Sequence, residues 1–155
     1  MVALTAQPNK QVHRRARLVV FLVAVGLFFP AVLPAKPSAN LTPDAAMRLI
    51  AAQQDNPDFV LLDVRTPGEY NKGHIPGAKM LDFYQRDFIE RLKALDRDKT
   101  YLVYCRSGNR SGRTLALMDK LGFKRVAHLA GGILAWQRKG YALVNANAVD
   151  PVQGE

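Results

Sequence analysis

Two short runs of apolar residues constrain the fold of this chain more than any other feature. Residues 59–63 and 100–104 read Phe-Val-Leu-Leu-Asp and Thr-Tyr-Leu-Val-Tyr, without the polar alternation of a half-exposed strand. Such runs are typical of strands that are buried on both faces of a parallel sheet. The chain also holds weaker strand-like segments at 79–83 and 125–129, and helix-like segments at about 42–53, 87–95, 111–121 and 133–139. This alternation predicts an α/β domain with a central parallel sheet and helices on both faces.

The first 39 residues differ in composition from the rest and are expected to form an export signal or a membrane anchor. Residues 1–40 hold five basic residues and no acidic residue, and the stretch 18–29 is apolar and uncharged. A basic segment followed by an apolar segment and small residues is the pattern of an export signal. The uncharged stretch is also near the lower length limit of a membrane-spanning helix, so a cleaved signal and an uncleaved anchor both stay open. The sequence predicts an exported domain at 41–145 in the periplasm of a bacterium, with a flexible tail at 146–155.

The net charge of +9 does not indicate a nucleic-acid-binding protein. The residues from 41 onward carry 17 basic and 13 acidic side chains, and the two signs are interspersed. A nucleic-acid interface would need a clustered basic face with aromatic residues. We therefore expect no nucleic-acid partner, and we expect membrane contact only through an uncleaved N-terminal segment.

The only cysteine, Cys105, lies between the second apolar run and the helix predicted after it. One cysteine excludes an intramolecular disulfide, a Cys-x-x-Cys redox pair and a cysteine-based zinc site. Ligand sites of parallel sheets lie at the carboxyl ends of strands, where the N–H groups of the next helix favour negative charge. Arg106 and Arg110 add positive charge, and Gly108 and Asn109 tolerate the left-handed backbone that turns N–H groups inward. The sequence therefore predicts an exposed, nucleophilic thiolate with a lowered pKa.

Three motifs follow one another along the predicted domain. They are Leu-Asp-Val-Arg at 62–65 with Gly-His-Ile-Pro-Gly-Ala at 73–78, Cys-Arg-Ser-Gly-Asn-Arg at 105–110, and Gly-Gly at 131–132 with Trp136. Together they resemble the signatures of the rhodanese-like sulfurtransferases, and the second resembles the active-site loop of that family. The resemblance covers about residues 42–142 and implies a single rhodanese-like domain, similar to the exported members of the family.

This resemblance implies sulfur transfer by a ping-pong mechanism that needs no metal or organic cofactor. The Cys105 thiolate would take the outer sulfur of a donor such as thiosulfate, and cyanide or a thiol would then remove it from the persulfide. The implied substrate-binding residues are Arg106, Ser107, Gly108, Asn109 and Arg110. The two arginines would hold the sulfonate end of the donor, and the backbone N–H groups of 106–110 would cradle the sulfur. We expect the protein to be a monomer.

Two other functions stay open on the sequence alone. Cysteine-dependent phosphatases and arsenate reductases use a similar thiolate, but they place an anion-binding arginine six positions after the cysteine. This chain has Ser111 at that position and its arginine at Arg110, which favours a tighter loop sized for a sulfur atom. A sulfur carrier or sensor that turns over little would have the same loop, so turnover is needed to discriminate between them.

Four titratable residues outside the loop are predicted to be structural. Asp63 ends a buried strand and is expected to anchor a loop, with Arg65 as its partner. Glu69 and His74 admit an acid–base interpretation, but we expect them to brace the turn that follows. His128 ends another strand and is expected to have a packing role.

Overall fold

Five strands and five helices alternate along residues 39–145, the part of the chain that the computed structural model describes. They are β1 (Ala39–Leu41), α1 (Pro43–Ala52), β2 (Phe59–Asp63), α2 (Pro67–Asn71), β3 (Lys79–Met80), α3 (Phe88–Lys93), β4 (Thr100–Tyr104), α4 (Asn109–Lys120), β5 (Arg125–Leu129) and α5 (Gly132–Arg138). The predicted tail at 146–155 and, apart from Ala39, the predicted signal or anchor lie outside the described residues. Within residues 39–145, no helix has the length and apolar character needed to cross a membrane.

The strands form one sheet in the order β1-β5-β4-β2-β3, and every neighbouring pair is parallel. The predicted parallel α/β fold is therefore confirmed. The chain leaves β2 toward β3 on one side and leaves β4 toward β5 on the other. Adjacent strands whose connections diverge in this way form the switch point at which α/β sheets bind ligands. A ligand-binding site is therefore expected at the carboxyl ends of β2 and β4.

Helices cover both faces of the sheet, as the uninterrupted apolar strands predict. Tyr101 and Val103 of β4 face a core that also contains buried residues of α3 and α4. Leu102 and Tyr104 face a second core that contains buried residues of α1 and α5. Cys105 belongs to the first core, so its side chain lies on the α4 side of the sheet.

Several boundaries differ from the sequence-based expectation. β3 ends at Met80 rather than at residue 83, and α4 begins at Asn109 rather than at Ser111. Neither β1 nor α2 was predicted. β1 has three residues and is defined by its pairing with β5, which is a long-range contact without a local sequence signal. α2 does have a local signal, because Thr66 and Glu69 form the capping box that begins this short helix.

Candidate active site

Cys105 directly follows the central strand β4, and its thiol lies under the loop that leads into α4. The residue is only 1% exposed, so the expectation of an exposed thiol is wrong. The loop and the first turn of α4 fold over the sulfur, which a motif at the end of a strand does not reveal. From the other side, α5 fixes the loop backbone: Ile133 N–H donates to the Cys105 carbonyl at 2.8 Å and Leu134 N–H to that of Arg106 at 3.1 Å.

Hydrogen-bond donors surround the sulfur. The Gly108 N–H donates to Cys105 Sγ at 3.2 Å, and the Ser111 hydroxyl lies 3.6 Å from the same atom. Burial by itself raises the pKa of Cys105. Hydrogen bonds from the backbone and hydroxyl of Ser111 and from the backbone of Ser107 and Gly108 outweigh burial, so the pKa lies below its ordinary value. The predicted direction of the shift is confirmed, and its cause is a set of hydrogen bonds to the thiolate.

The start of α4 explains why so many donors meet at one atom. Gly108 is the N-cap of α4 and has a left-handed φ of +100°. The first N–H groups of a helix have no partner inside the helix, and an N-cap glycine has no side chain to accept from them. The Cys105 sulfur takes the place of that acceptor. Asn109, expected to share the left-handed backbone, is instead the first residue of α4.

Arg110 is held by a carboxylate from the neighbouring strand connection. Its two terminal nitrogens donate to the two carboxylate oxygens of Glu69, each at 2.7 Å. Glu69 raises the pKa of Arg110, and the charge of Cys105 adds to that rise. Glu69 therefore does not brace the turn, as the sequence suggested, but fixes a guanidinium beside the thiolate. The bidentate geometry gives the arginine one orientation.

Arg106, the other arginine of the loop, is exposed. Among residues 39–145 its side chain makes no ion pair or side-chain hydrogen bond. It lines a pocket of about 270 Å³ whose lining also includes Arg65, Glu69, Lys72, Ile133 and Leu134 but not Cys105. The lining therefore combines three basic side chains, one carboxylate and an apolar wall, and the Arg106 guanidinium is available to bind an anion.

Asp63 and Arg65 make the structural contact that was predicted for them. Arg65 Nη2 lies 2.6 Å from Asp63 Oδ2 and also donates to the Gly73 carbonyl at 2.8 Å, with both side chains buried. This confirms the predicted loop anchor. The ring of His74 stacks on that of Tyr70 at a centroid distance of 3.7 Å. The carboxylate of Glu69 binds Arg110 instead of His74.

Sequence reasoning missed Ser111 as a functional residue. Its side chain is fully buried, and its hydroxyl lies between Cys105 Sγ and His128 Nδ1, which is 3.3 Å away. The expected helix start at Ser111 concealed this role. With α4 starting at Asn109, Ser111 is the third helical residue, and its N–H, which has no partner inside the helix, hydrogen-bonds to the Cys105 sulfur.

The fold and the loop define a single α/β domain with an activated cysteine at the switch point of its sheet. Residues 46–139 match the family model of the rhodanese-like domain. A sulfurtransferase of Allochromatium vinosum is 39% identical over 90 residues, which are 58% of this chain and 82% of that protein. A solved rhodanese-related protein of Thermoplasma volcanium has a TM-score of 0.59 and 30% identity, covering 68% of this chain and 97% of that one. This chain belongs to the rhodanese-like domain family.

A further relative has a different activity. A tRNA uridine(34) hydroxylase of Pectobacterium carotovorum is 34% identical over 125 residues, which are 78% of this chain and 34% of the hydroxylase. The chain thus spans about a third of that protein. The family and the sulfurtransferase relative support a sulfur-transfer enzyme.

Acidification is expected to remove stability through Glu69. The hydrogen bonds from Arg110, opposed by burial and helped by those from Thr66, lower the pKa of Glu69 from 4.5 to about 2. A carboxyl with a depressed pKa stabilises the fold above its unfolded pKa, and that contribution is lost as pH falls from 4.5 toward about 2. Urea midpoints of the wild type and of Glu69→Gln should therefore differ at neutral pH and converge in acid.

A matched control is available in the exposed ion pair between Asp98 and Lys124. Exposed pairs contribute little to stability, so Asp98→Asn should change the urea midpoint little at any pH. A difference between wild type and Glu69→Gln that stays constant down to about pH 2 would contradict the assignment.

Proposed function

We propose that this enzyme transfers a sulfane sulfur from thiosulfate, or a similar anionic donor, to cyanide or a thiol through a persulfide on Cys105. The observation that carries the proposal is the set of N–H and O–H donors around the Cys105 sulfur. Donors fixed in advance around an atom that carries negative charge stabilise that charge without reorganisation. A sulfur-centred nucleophile and carrier fits this arrangement without a further group.

The proposed reaction balances with the cysteine as its only carrier. The Cys105 thiolate attacks the outer sulfur of thiosulfate, a new S–S bond forms, and the old S–S bond breaks as sulfite leaves with its electron pair. Cyanide then attacks the outer sulfur of the persulfide and leaves as thiocyanate, which returns the thiolate. With a thiol as acceptor, the thiolate attacks in the same way and leaves as a persulfide. The two half-reactions need no external oxidant or reductant.

The two arginines of the loop have different roles in this proposal. Arg106 is exposed at the pocket, and its free guanidinium is suited to the sulfonate end of the donor. Arg110 is paired with both carboxylate oxygens of Glu69, so its guanidinium is held in one orientation and its charge is balanced by that carboxylate. Both terminal nitrogens of Arg110 are already bonded to Glu69. This weighs against the phosphatase alternative, in which an arginine must bind the oxygens of a phosphate.

The experiment that tests the proposal is the intact mass of the reduced full chain before and after thiosulfate. The wild type is expected to gain the mass of one sulfur atom, and cyanide is expected to remove it. Cys105→Ala should gain nothing, because the chain has no other thiol. Failure of the reduced wild type to gain sulfur, or an equal gain by the alanine variant, would contradict the proposal.

Steady-state turnover separates the enzyme from a sulfur carrier. Repeated formation of thiocyanate from thiosulfate and cyanide indicates an enzyme. A persulfide that forms once and is not released to cyanide or to a thiol indicates a carrier or sensor. Hydrolysis of a phosphate ester that is lost in Cys105→Ala would instead favour the phosphatase alternative.

A further inference from the structure

The Ser111 hydroxyl lies within hydrogen-bonding reach of three groups, and it has a single hydrogen to donate. Its oxygen is 3.6 Å from Cys105 Sγ, 3.2 Å from the Gly108 carbonyl oxygen and 3.3 Å from His128 Nδ1. A serine hydroxyl donates one hydrogen and accepts through two lone pairs. The thiolate and the carbonyl only accept, whereas Nδ1 of a neutral histidine donates or accepts according to its tautomer.

The tautomer of His128 determines whether the Ser111 hydroxyl hydrogen is left for the sulfur. The Gly108 carbonyl already accepts the first helical hydrogen bond of α4, from Gly112 N–H at 2.9 Å. If His128 Nδ1 is bare, three acceptors face one hydroxyl hydrogen and the ring draws it away from the sulfur. If Nδ1 carries a hydrogen, it donates to the Ser111 oxygen and the hydroxyl hydrogen is left for the thiolate.

We propose that His128 is a positioning residue whose Nδ1–H donates to Ser111 Oγ and thereby turns the hydroxyl hydrogen of Ser111 toward the Cys105 sulfur. The inference rests on the proposed function, in which Cys105 is the reacting thiol. A chain of aligned hydrogen bonds polarises each member, so the Ser111 hydroxyl becomes a better donor to the thiolate. His128 therefore acts on the sulfur through Ser111 and does not touch it.

The surroundings of His128 fit this role. The residue lies in β5 between Asn40 of β1 and Val103 of β4, and it is half-buried. α4 presents Gly112 to the ring, and a Cβ at that position would come within 3.9 Å of His128 Cε1. Burial lowers the pKa of His128, so at neutral pH the tautomer of a neutral ring, rather than its charge, sets the direction of the hydrogen bond.

Three substitutions separate the Nδ1 donor from the bulk of the ring. His128→Asn places an amide N–H the same number of bonds from Cα as Nδ1, whereas His128→Gln places its amide one bond farther. His128→Phe keeps an aromatic ring of similar size and removes both nitrogens. The readout is the pKa of Cys105 from the ultraviolet absorbance of the thiolate, with Cys105→Ala subtracted. Phe and Gln are expected to raise this pKa by about half to one unit, and Asn is expected to leave it near the wild-type value.

Two further variants test whether His128 acts on the sulfur through Ser111. Ser111→Ala should raise the pKa of Cys105, and adding His128→Phe to it should raise the pKa no further. Additive effects in the double variant would overturn the inference, and so would an unchanged pKa in a folded His128→Phe protein. If His128→Phe does not fold, the Asn and Gln variants decide: equal pKa values for the two would overturn it.

The histidine tautomer can also be measured directly in the wild type. The inference expects nitrogen-15 NMR of the full chain to find the hydrogen on Nδ1, and a hydrogen on Nε2 alone would overturn it. Neither the thiol titration nor the NMR measurement uses a sulfur donor. A protein that shows the expected pKa pattern but forms no persulfide would refute the proposed function and leave the hydrogen-bond arrangement in place.

Discussion

Replacement of Cys105 by serine is expected to lower thiosulfate–cyanide turnover by about ten-thousandfold or more, because it removes the nucleophile of the proposed reaction. A serine hydroxyl has a far higher pKa than a thiol, and the same donors that stabilise a thiolate do not ionise it at neutral pH. The variant also has no sulfur atom on which to carry the transferred sulfur. The measurement is steady-state thiocyanate formation by the wild type and Cys105→Ser.

Folding of the variant must be separated from its chemistry. Serine is close to cysteine in size, and its oxygen still accepts from the Gly108 N–H that now binds the sulfur. We therefore expect Cys105→Ser to unfold at a temperature close to that of the wild type. A folded serine variant that retains more than about one per cent of the wild-type turnover would show that Cys105 is not the sulfur carrier.

The sheet could be predicted because its central strands carry a strong local signal. The runs at 59–63 and 100–104 are apolar at nearly every position, since helices cover both of their faces. β1 could not be predicted in the same way. Its three residues are a strand only because they pair with β5, from Ala39 opposite Ala127 to Leu41 opposite Leu129. A strand at the edge of a sheet is defined by its partner more than by its own sequence.

The cysteine that we propose to react could be singled out from its motif, but its neighbours could not. A cysteine between a buried strand and a helix points to a thiolate in a cradle of N–H groups, and the lowered pKa of Cys105 agrees. The partner of Arg110 is Glu69, 41 positions earlier in the chain, and only the parallel register of β2 and β4 brings the two together. His128 comes from a third strand, so no local pattern connects it to the loop.

The N-terminus of α5 provides the second large effect that we expect. Gly132 has a left-handed φ of +58°, and a Cβ on it would overlap the carbonyl oxygen of Cys105 and lie 2.6 Å from the carbonyl carbon of Arg106. Both contacts are with backbone, which cannot move aside as a flexible side chain can. Gly132→Ala must therefore push the active loop away from α5 and weaken the bonds that Ile133 and Leu134 make to it. The variant is expected to lose about 3 kcal/mol or more of unfolding free energy.

Gly140→Ala is the matched control, because it separates the backbone strain of a left-handed alanine from steric overlap of its Cβ with neighbouring atoms. Gly140 also has a left-handed φ, +74°, but a Cβ there would meet no atom within 4 Å. Gly140→Ala should lower the free energy of unfolding only by the strain of an alanine in that conformation, about 1 kcal/mol. Because Gly132 touches the backbone that carries the sulfur, Gly132→Ala is also expected to raise the pKa of Cys105 and to lower turnover, whereas Gly140→Ala should change neither. Equal losses of stability in the two variants, with the pKa of Cys105 unchanged in both, would show that α5 does not hold the loop in its active shape.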